Sequence, residues 1–397
     1  MNNNIALEKH LEWKGKIEII SRTRLDTIEN LSIAYTPGVA IPCLEIAKDE
    51  DKVYDLTRKH NLVAVITDGT SVLGLGDIGP SAAMPVMEGK CVLFKEFADI
   101  DAFPICINSK DVDEIVNTIA LISKSFGGIN LEDISAPRCF EVEKRLKEIC
   151  DIPVFHDDQH GTAIITCAAM INAAKVVGKN KKDMNIVVNG SGAAGIAVTK
   201  LLIDMGFVNV IICDSKGVIN GNDINLNSIK SEIAKITNKN NLKGSLKEVL
   251  VGADAFIGVS RPNLITAEVV ATMAEKSIIM AMANPIPEIM PKEAKKGGAL
   301  VVGTGRSDFP NQINNLSAFP GVFKGALRVR AKEITNSMKI EAALAIANMV
   351  PGESLSPNNI LPNPLDKRIA EVVANAVAKE AIRIGVARVQ TCRSLTY

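Results

Sequence analysis

The stretch NIVVNGSGAAG at residues 185–195 joins an apolar, β-branched run directly to the glycine spacing G-x-G-x-x-G. A helical pattern follows, and a second apolar run, VNVIICDS at 208–215, places Asp214 24 positions after Gly190. A strand, a glycine turn, a helix and a second strand ending in an acidic residue make up the βαβ unit that binds dinucleotides. The sequence therefore predicts a Rossmann-type unit at this point of the chain.

The glycine turn and the acidic residue indicate which groups would hold a dinucleotide. Glycines allow a tight turn and let a pyrophosphate approach the free N–H groups and the positive end of a helix. Asp214 would accept hydrogen bonds from ribose hydroxyls, and it favours NAD because its charge would repel a 2′-phosphate. Lys216 could instead reach that phosphate, so NADP stays open. The predicted cofactor-binding residues are Gly190, Ser191, Gly192, Ala193, Ala194, Gly195, Asp214 and Ser215.

Apolar runs alternate with helical patterns from residue 161 onward, which is typical of a doubly wound α/β fold with a parallel sheet. Helical patterns at 325–348 and 366–386 occupy the end of the chain. The preceding part has a different pattern, so we predict two domains, residues 1–160 and residues 161–397. Within the first domain, strands are expected at 61–69, 90–97, 101–108, 128–135 and 152–158.

A second G-x-G-x-x-G spacing, Gly74 to Gly79, does not fit a dinucleotide fingerprint. Four residues separate it from the preceding apolar run, and Pro80 follows it directly. No second strand ends in an acidic residue at the required distance. We interpret this segment as a glycine-rich loop that lines a site, in contact with the cofactor from the other side of a cleft.

Composition excludes several classes of protein. The 45 basic and 45 acidic residues balance, whereas a general nucleic-acid or anionic-membrane binder has a basic excess. No apolar run reaches the ~20 residues of a membrane span, and the N-terminus lacks the apolar core of a signal peptide. None of the eight cysteines forms a C-x-x-C pair. We therefore expect a cytoplasmic protein with reduced cysteines.

Paired carboxylates stand at the ends of two expected strands, Glu132-Asp133 and Asp157-Asp158. Hard divalent cations such as Mg²⁺ and Mn²⁺ take oxygen ligands of this kind. Helix caps and solvated loop charges would place acids at the same positions, so this alternative stays open. A third possibility is zinc, because His156 and His160 have the spacing of the H-E-x-x-H signature. That signature requires one continuous helix, whereas the residues before His156 have a strand pattern.

Several segments resemble motifs of the malic enzymes, in the short bacterial form, and the resemblance covers nearly the whole chain. The segments are Y-T-P-G-V at 35–39, T-D-G at 67–69, L-G-L-G-D at 73–77, P-V-M-E-G-K at 85–90, L-E-D at 131–133, F-H-D-D-Q-H-G-T at 155–162, A-N-P at 283–285 and N-N at 314–315. The resemblance implies a malic-type substrate and metal domain followed by a Rossmann-type NAD(P)-binding domain.

The resemblance also implies roles for individual residues. Tyr35 corresponds to the general acid, Lys90 to the catalytic base, and Asp157 to a carboxylate that tunes the lysine. Asn284 and Asn315 match residues that contact the substrate and the nicotinamide, and Lys90 would also contact substrate. The implied ligands of Mg²⁺ or Mn²⁺ are Glu132, Asp133 and Asp158.

The implied reaction is oxidative decarboxylation of L-malate to pyruvate and CO₂ with reduction of NAD. Lys90, with its pKa lowered by burial or by the metal, would take the hydroxyl proton, and Tyr35 would protonate C3. The metal would stabilise the enolate as a Lewis acid. Two alternatives keep the scaffold: malolactic conversion to lactate, and a dinucleotide sensor without catalytic activity.

One departure from the family pattern concerns substrate recognition. Larger members have an arginine just before L-G-L-G-D that binds the substrate carboxylate, whereas this chain has Thr70, Ser71 and Val72 there. Carboxylate recognition must then use Asn284, Asn315, the metal or another group. The resemblance, the helical N-terminus and the small-residue helices together suggest a homodimer in which the first residues pack on the partner.

Overall fold

Two mainly parallel β-sheets surrounded by helices form the fold in a computed structural model that describes residues 3–72, 74–224 and 226–390. The strands are β1 (Leu62–Thr67), β2 (Asp101–Cys106), β3 (Gly128–Leu131), β4 (Val154–His156), β5 (Asn185–Asn189), β6 (Asn209–Asp214), β7 (Gly217–Val218), β8 (Ala255–Gly258), β9 (Ile278–Ala281) and β10 (Val301–Thr304).

Helices cover both sheets, and the first and last of the named elements are helices. They are α1 (Asn3–Trp13), α2 (Ile28–Ala34), α3 (Ala40–Lys48), α4 (Val53–Leu56), α5 (Pro80–Ala98), α6 (Val112–Ile122), α7 (Arg138–Ile149), α8 (Asp157–Val177), α9 (Ala193–Asp204), α10 (Ser228–Ala234), α11 (Leu246–Leu250), α12 (Ala267–Val270), α13 (Pro291–Lys296), α14 (Phe319–Arg328), α15 (Asn336–Asn348) and α16 (Arg368–Arg383).

The first sheet has the order β2-β1-β3-β4, and every neighbouring pair in it is parallel. Ile66 lies opposite Leu131, which lies opposite His156, so three strands end at one edge. Because the carboxyl ends of parallel strands meet at the same edge, the residues that follow them converge. Those residues include both predicted carboxylate pairs.

The second sheet has the order β10-β9-β8-β5-β6-β7, and only the last pair is antiparallel. The strand order reverses direction beside β5, where the chain crosses over to β6 on one side and β8 on the other. Ligands bind at such switch points in open α/β sheets. The predicted parallel, doubly wound arrangement is confirmed.

The prediction of a strand at 90–97 is wrong, because these residues belong to α5. A short apolar run does not distinguish a strand from a buried helix segment. Here Met87, Cys91, Phe94 and Ala98 are all buried, and their spacing of three and four residues places them on one face of the helix. The helix rather than a strand therefore carries Lys90 into the interior.

Helix α8 connects the two halves of the molecule, and residues 160 and 161 both lie within it. It packs against α9 and α15, and fifteen of its 21 residues are buried. Among the described residues it is the one helix long and apolar enough to span a membrane, and 72% of its most apolar window is buried within the protein. Such burial is typical of a core helix. The division into domains at residue 160 stays a prediction.

The N-terminal arm, residues 3–48, packs very little against the rest of the chain. Helices α2 and α3 contain no buried residue. Most of the exposed large apolar side chains of the described residues belong to this arm. They are Ile5, Leu7, Leu11, Trp13, Ile19, Ile20, Leu25, Ile28, Leu31, Ile33, Tyr35, Val39, Ile41 and Leu44. An apolar surface of this extent is typical of an interface.

Candidate active site

Three carboxylates meet where β3 and β4 end. Glu132, Asp133 and Asp158 each offer an oxygen, and these oxygens lie within 4.8 Å of one another. Asp133 has a left-handed backbone with φ of 54°, and its N–H donates to Asp158 Oδ2 at 2.9 Å. Burial, with the neighbouring acids, raises the pKa of Asp158 to about 7 and that of Glu132 to about 8. Since a divalent cation would neutralise this concentrated charge with all-oxygen ligands, the residues fit Mg²⁺ or Mn²⁺.

Lys90 projects from α5 into the same cluster and is only 7% exposed. Its Nζ lies 2.7 Å from Asp157 Oδ2, 3.0 Å from Glu132 Oε1 and 4.4 Å from the centre of the Phe319 ring. Burial by itself lowers the pKa of Lys90, but the two carboxylates outweigh burial, so the pKa is raised. Without a metal charge beside it, the lysine is therefore a stable cation, which differs from the lowered pKa that the sequence suggested.

Asp157 is completely buried at the first position of α8. Its Oδ2 accepts from Lys90 and also from Asn315 Nδ2 at 2.5 Å, across 158 positions of sequence. Its Oδ1 is buried and has no hydrogen-bond partner within the described part of the chain. The structure thus brings together Lys90, Asp157 and Asn315, three residues that the sequence placed in one site.

Tyr35, the predicted general acid, differs from the buried Lys90 in its exposure. It directly follows α2 and is 67% exposed. No hydrogen bond among the described residues joins it to Lys90.

The predicted dinucleotide turn has the required close packing. Gly190 has φ of 122°, and a Cβ on it would lie 2.6 Å from the carbonyl oxygen of Val259. A Cβ on Gly195 would lie 1.7 Å from the carbonyl oxygen of Gly190. Helix α9 begins at Ala193, so its free N–H groups face the turn. A cavity of about 580 Å³ opens here, and it is lined by Asn189, Gly190, Ser191, Gly192, Asp214, Ser215, Lys216, Gly217, Lys230, Ser245, Leu246, Val259, Ser260, Arg261 and Leu264.

Asp214 at the end of β6 has an ion-pair partner that the sequence did not suggest. Lys230 Nζ lies 2.5 Å from Asp214 Oδ2, and the backbone N–H of Lys216 donates to Asp214 Oδ1 at 2.7 Å. Burial raises the pKa of Asp214, but Lys230 and the backbone donor outweigh it and hold the pKa below its usual range. The sequence offered no signal for this pair beyond a lysine 16 residues after Asp214.

Asn284 lies between two glycines that permit its close packing. A Cβ on Gly305 would approach its side-chain amide to 2.9 Å, and a Cβ on Gly74 would lie 2.8 Å from its carbonyl oxygen. The glycine-rich loop that contains Gly74 therefore contacts the segment predicted to hold the nicotinamide.

The two histidines do not form a zinc site. His156 is fully buried at the end of β4, whereas His160 lies within α8, so the pair does not share one helix. His160 Nε2 is 2.7 Å from Glu143 Oε1, and its Nδ1 is 3.1 Å from Lys339 Nζ. Burial lowers the pKa of His160 to about 3. His160 thus belongs to a buried polar network rather than to a metal site.

Two models of protein families match the chain over most of its length. "Malic enzyme, N-terminal domain" matches residues 14–147, and "Malic enzyme, NAD binding domain" matches residues 159–382. The chain belongs to the malic enzyme family. The matches confirm the predicted α/β fold, with a malic-type domain followed by an NAD-binding domain, and the predicted NAD(P)-dependent malic enzyme.

Individual malic enzymes resemble the whole chain. The bifunctional malic/malolactic enzyme of Bacillus subtilis is 56% identical over 385 residues, which cover 97% of this chain and 94% of that protein. The NAD-dependent malic enzyme of Geobacillus stearothermophilus is 55% identical over 94% of this chain and 78% of that protein. The crystal structure of the NAD-dependent malic enzyme from Thermotoga maritima superposes with a TM-score of 0.91 and 48% identity, covering 94% of this chain and 98% of that one.

Proposed function

We propose that this malic enzyme converts L-malate to pyruvate and CO₂ with NAD as oxidant and with Mg²⁺ or Mn²⁺ held by Glu132, Asp133 and Asp158. The observation that carries the proposal is the buried contact of Lys90 with both Asp157 and Glu132. In this contact the amine nitrogen of Lys90 lies beside the cluster of Glu132, Asp133 and Asp158, which supports its assignment as the base of a metal-dependent site. A bound divalent cation would supply Lewis-acid stabilisation of the substrate oxygen and the enolate.

Lys90 Nζ is the group that accepts the proton from the C2 hydroxyl. Asp157 and, to a lesser extent, Glu132 raise the pKa of Lys90 in the metal-free state, and the effect of Glu132 weakens when its charge is shared with a cation. Asp157 and Asn315 keep the amine in position through the hydrogen bonds on Asp157 Oδ2. The Phe319 ring covers one side of the amine, with its centre 4.4 Å from Lys90 Nζ.

We further propose that the protein is a homodimer in which the N-terminal arm packs on the partner and Tyr35 enters the partner's site. Two features support this. The arm exposes many large apolar side chains, and Tyr35, which is 67% exposed, makes no hydrogen bond to the buried Lys90 of its own chain within the described residues. Tyr35 would then deliver a proton to C3 of the enolate formed beside Lys90 of the other subunit.

Complementation between inactive variants tests the shared site. If Tyr35 acts across the interface, a mixed dimer of Tyr35→Phe and Lys90→Ala subunits contains one site with both residues intact. Refolding the two inactive variants together should then restore activity, whereas either variant refolded alone should not. Failure to restore activity in a verified mixed dimer would show that both groups act within one chain.

Malolactic conversion is a second candidate, favoured by the 56%-identical relative described as a bifunctional malic/malolactic enzyme. The distinguishing experiment mixes purified protein with L-malate and Mn²⁺ and compares NAD with NADP, with EDTA as control. Accumulation of reduced nicotinamide together with pyruvate supports the oxidative reaction. Lactate without net reduction supports malolactic conversion, and neither product would leave a dinucleotide sensor. The cytoplasmic location stays a prediction.

A further inference from the structure

Arg138, the first residue of α7, ties together the loops that follow β1 and β3. Its Nη2 donates to Asp68 Oδ2 at 2.8 Å, to Thr70 Oγ1 at 2.9 Å and to Ser135 Oγ at 3.2 Å. Asp68 and Thr70 belong to the loop after β1, and Ser135 belongs to the loop after β3. Asp68 and Thr70 are buried, at 2% and 7% exposure. One guanidinium therefore holds two loops that begin on adjacent strands.

The hydroxyl of Thr70 is the centre of this arrangement. It donates to Asp68 Oδ1 at 2.6 Å and accepts both from Arg138 and from the backbone N–H of Ser135 at 3.0 Å. The next residue, Ser71, donates its backbone N–H to the carbonyl oxygen of Asp133 at 2.9 Å. The loop is thus held at two points, the carbonyl oxygen of Asp133 and the backbone N–H of Ser135.

The backbone of Asp133 needs such support. Its φ of 54° is in the left-handed region, which non-glycine residues adopt at an energetic cost and which persists when surrounding contacts determine it. In this conformation the Asp133 N–H donates to Asp158 Oδ2, and the two carboxylates face each other. If the loop relaxed toward the ordinary backbone region, the geometry of the three carboxylates would change.

We propose that Arg138 is a positioning residue for the divalent metal, acting through Thr70 on the loop that carries Asp133. The inference rests on the metal site of the proposed function. A lysine could not replace the arginine, because a single ammonium does not provide the planar fork that reaches the Asp68 carboxylate through Nε and Nη2 together. Groups that orient metal ligands from behind typically contribute 10- to 100-fold to metal affinity.

The test is the Kd for Mn²⁺ alone, measured on the full-length protein from the electron paramagnetic resonance of free Mn²⁺. We expect Arg138→Gln and Thr70→Val each to raise the Kd about tenfold. Thr70→Ser retains the hydroxyl and should bind as the wild type does. The matched control is Arg145→Gln on the same helix, because the ion pairs described for Arg145 are with the exposed Asp113 and Glu141 rather than with either loop.

Three further measurements make the outcome decisive. The Kd for NAD should be unchanged, because the dinucleotide turn lies on the other sheet. The unfolding temperature of Arg138→Gln should fall, because the buried Asp68 carboxylate loses its ion-pair partner. An increase of less than threefold in the Mn²⁺ Kd of either Arg138→Gln or Thr70→Val would refute the positioning role. So would an equal loss of NAD affinity, because it would indicate general loosening. If Asp158→Asn also leaves Mn²⁺ binding intact, the proposed metal site itself is wrong.

Discussion

Gly161 lies one helical turn after Asp157 on α8, and replacing it by alanine should disable the site without unfolding the protein. The added Cβ would lie 1.8 Å from Asp157 Oδ1, 2.9 Å from its Cγ and 3.1 Å from the Cβ of Asn315. The same carboxylate is held from its other side by Lys90 at 2.7 Å and Asn315 at 2.5 Å. Because non-bonded carbon and oxygen atoms do not approach so closely, the carboxylate must retreat by roughly 1 Å or more.

A displacement of this size in a group that orients the base should lower kcat about 100-fold. The free energy of unfolding should change much less than kcat does. Alanine is more favourable than glycine inside a helix by about 1 kcal/mol, which offsets part of the strain. The expected result is therefore a large loss of malate-dependent nicotinamide reduction in a protein whose circular dichroism and unfolding temperature remain close to those of the wild type.

Gly89→Ala is the matched control, since Gly89 precedes Lys90 in α5 and is also a helical glycine. A Cβ there would meet only Lys16 Nζ, at 3.5 Å, which is an ordinary contact. This variant should retain wild-type kcat and gain a little stability. If Gly161→Ala keeps kcat within threefold of the wild type while Gly89→Ala behaves as expected, Asp157 does not hold the base in the way proposed here.

Metal binding should strengthen as pH rises, because the pKa values of Asp158 and Glu132, raised to about 7 and about 8, require the metal to displace protons at neutral pH. Calorimetry of metal binding in buffers of different ionisation enthalpy should detect the protons that the metal releases. The same raised pKa values stabilise the metal-free fold at low pH, and this contribution to the free energy of unfolding is lost between about pH 4 and pH 8. Lys230→Ala removes the cation beside Asp214, so the KM for NADP should rise about tenfold and the KM for NAD should change little, as steady-state kinetics would measure. Burial raises the pKa of the Cys91 thiol to about 12, so peptide mapping after alkylation at neutral pH should find Cys91 unmodified in the folded protein and modified in urea.

The dinucleotide unit could be predicted because its information is local. The strand, the glycine turn and the helix are consecutive, and the acidic residue at the end of the next strand is only 24 positions from Gly190. The strand expected at 90–97 failed for the opposite reason. An apolar run of that length satisfies both periodicities, and only the packing of α5 against the first sheet decides between them.

The candidate site could be predicted in its residue types but not in its electrostatics. Placing Glu132 and Asp158 at strand ends was enough to expect carboxylates at one edge of a sheet. The raised pKa of Lys90 in the metal-free protein could not be predicted from the sequence, because burial and a carboxylate within 3 Å act oppositely on the pKa of a lysine. Their balance depends on distances that the sequence does not contain.

By itself, the sequence determined the fold class and the dinucleotide turn, because each depends on short spacings along one or two adjacent elements. The carboxylate ligands and the base were predicted from the resemblance of short motifs to those of the family. Only the tertiary structure decided that Asn315 holds Asp157, that Lys230 pairs with Asp214, and that Arg138 joins the loops beside Asp133. These contacts link residues 16 to 158 positions apart. The number of residues between two such positions does not indicate how close they lie in space, because the packing of the whole sheet decides where the loops are placed.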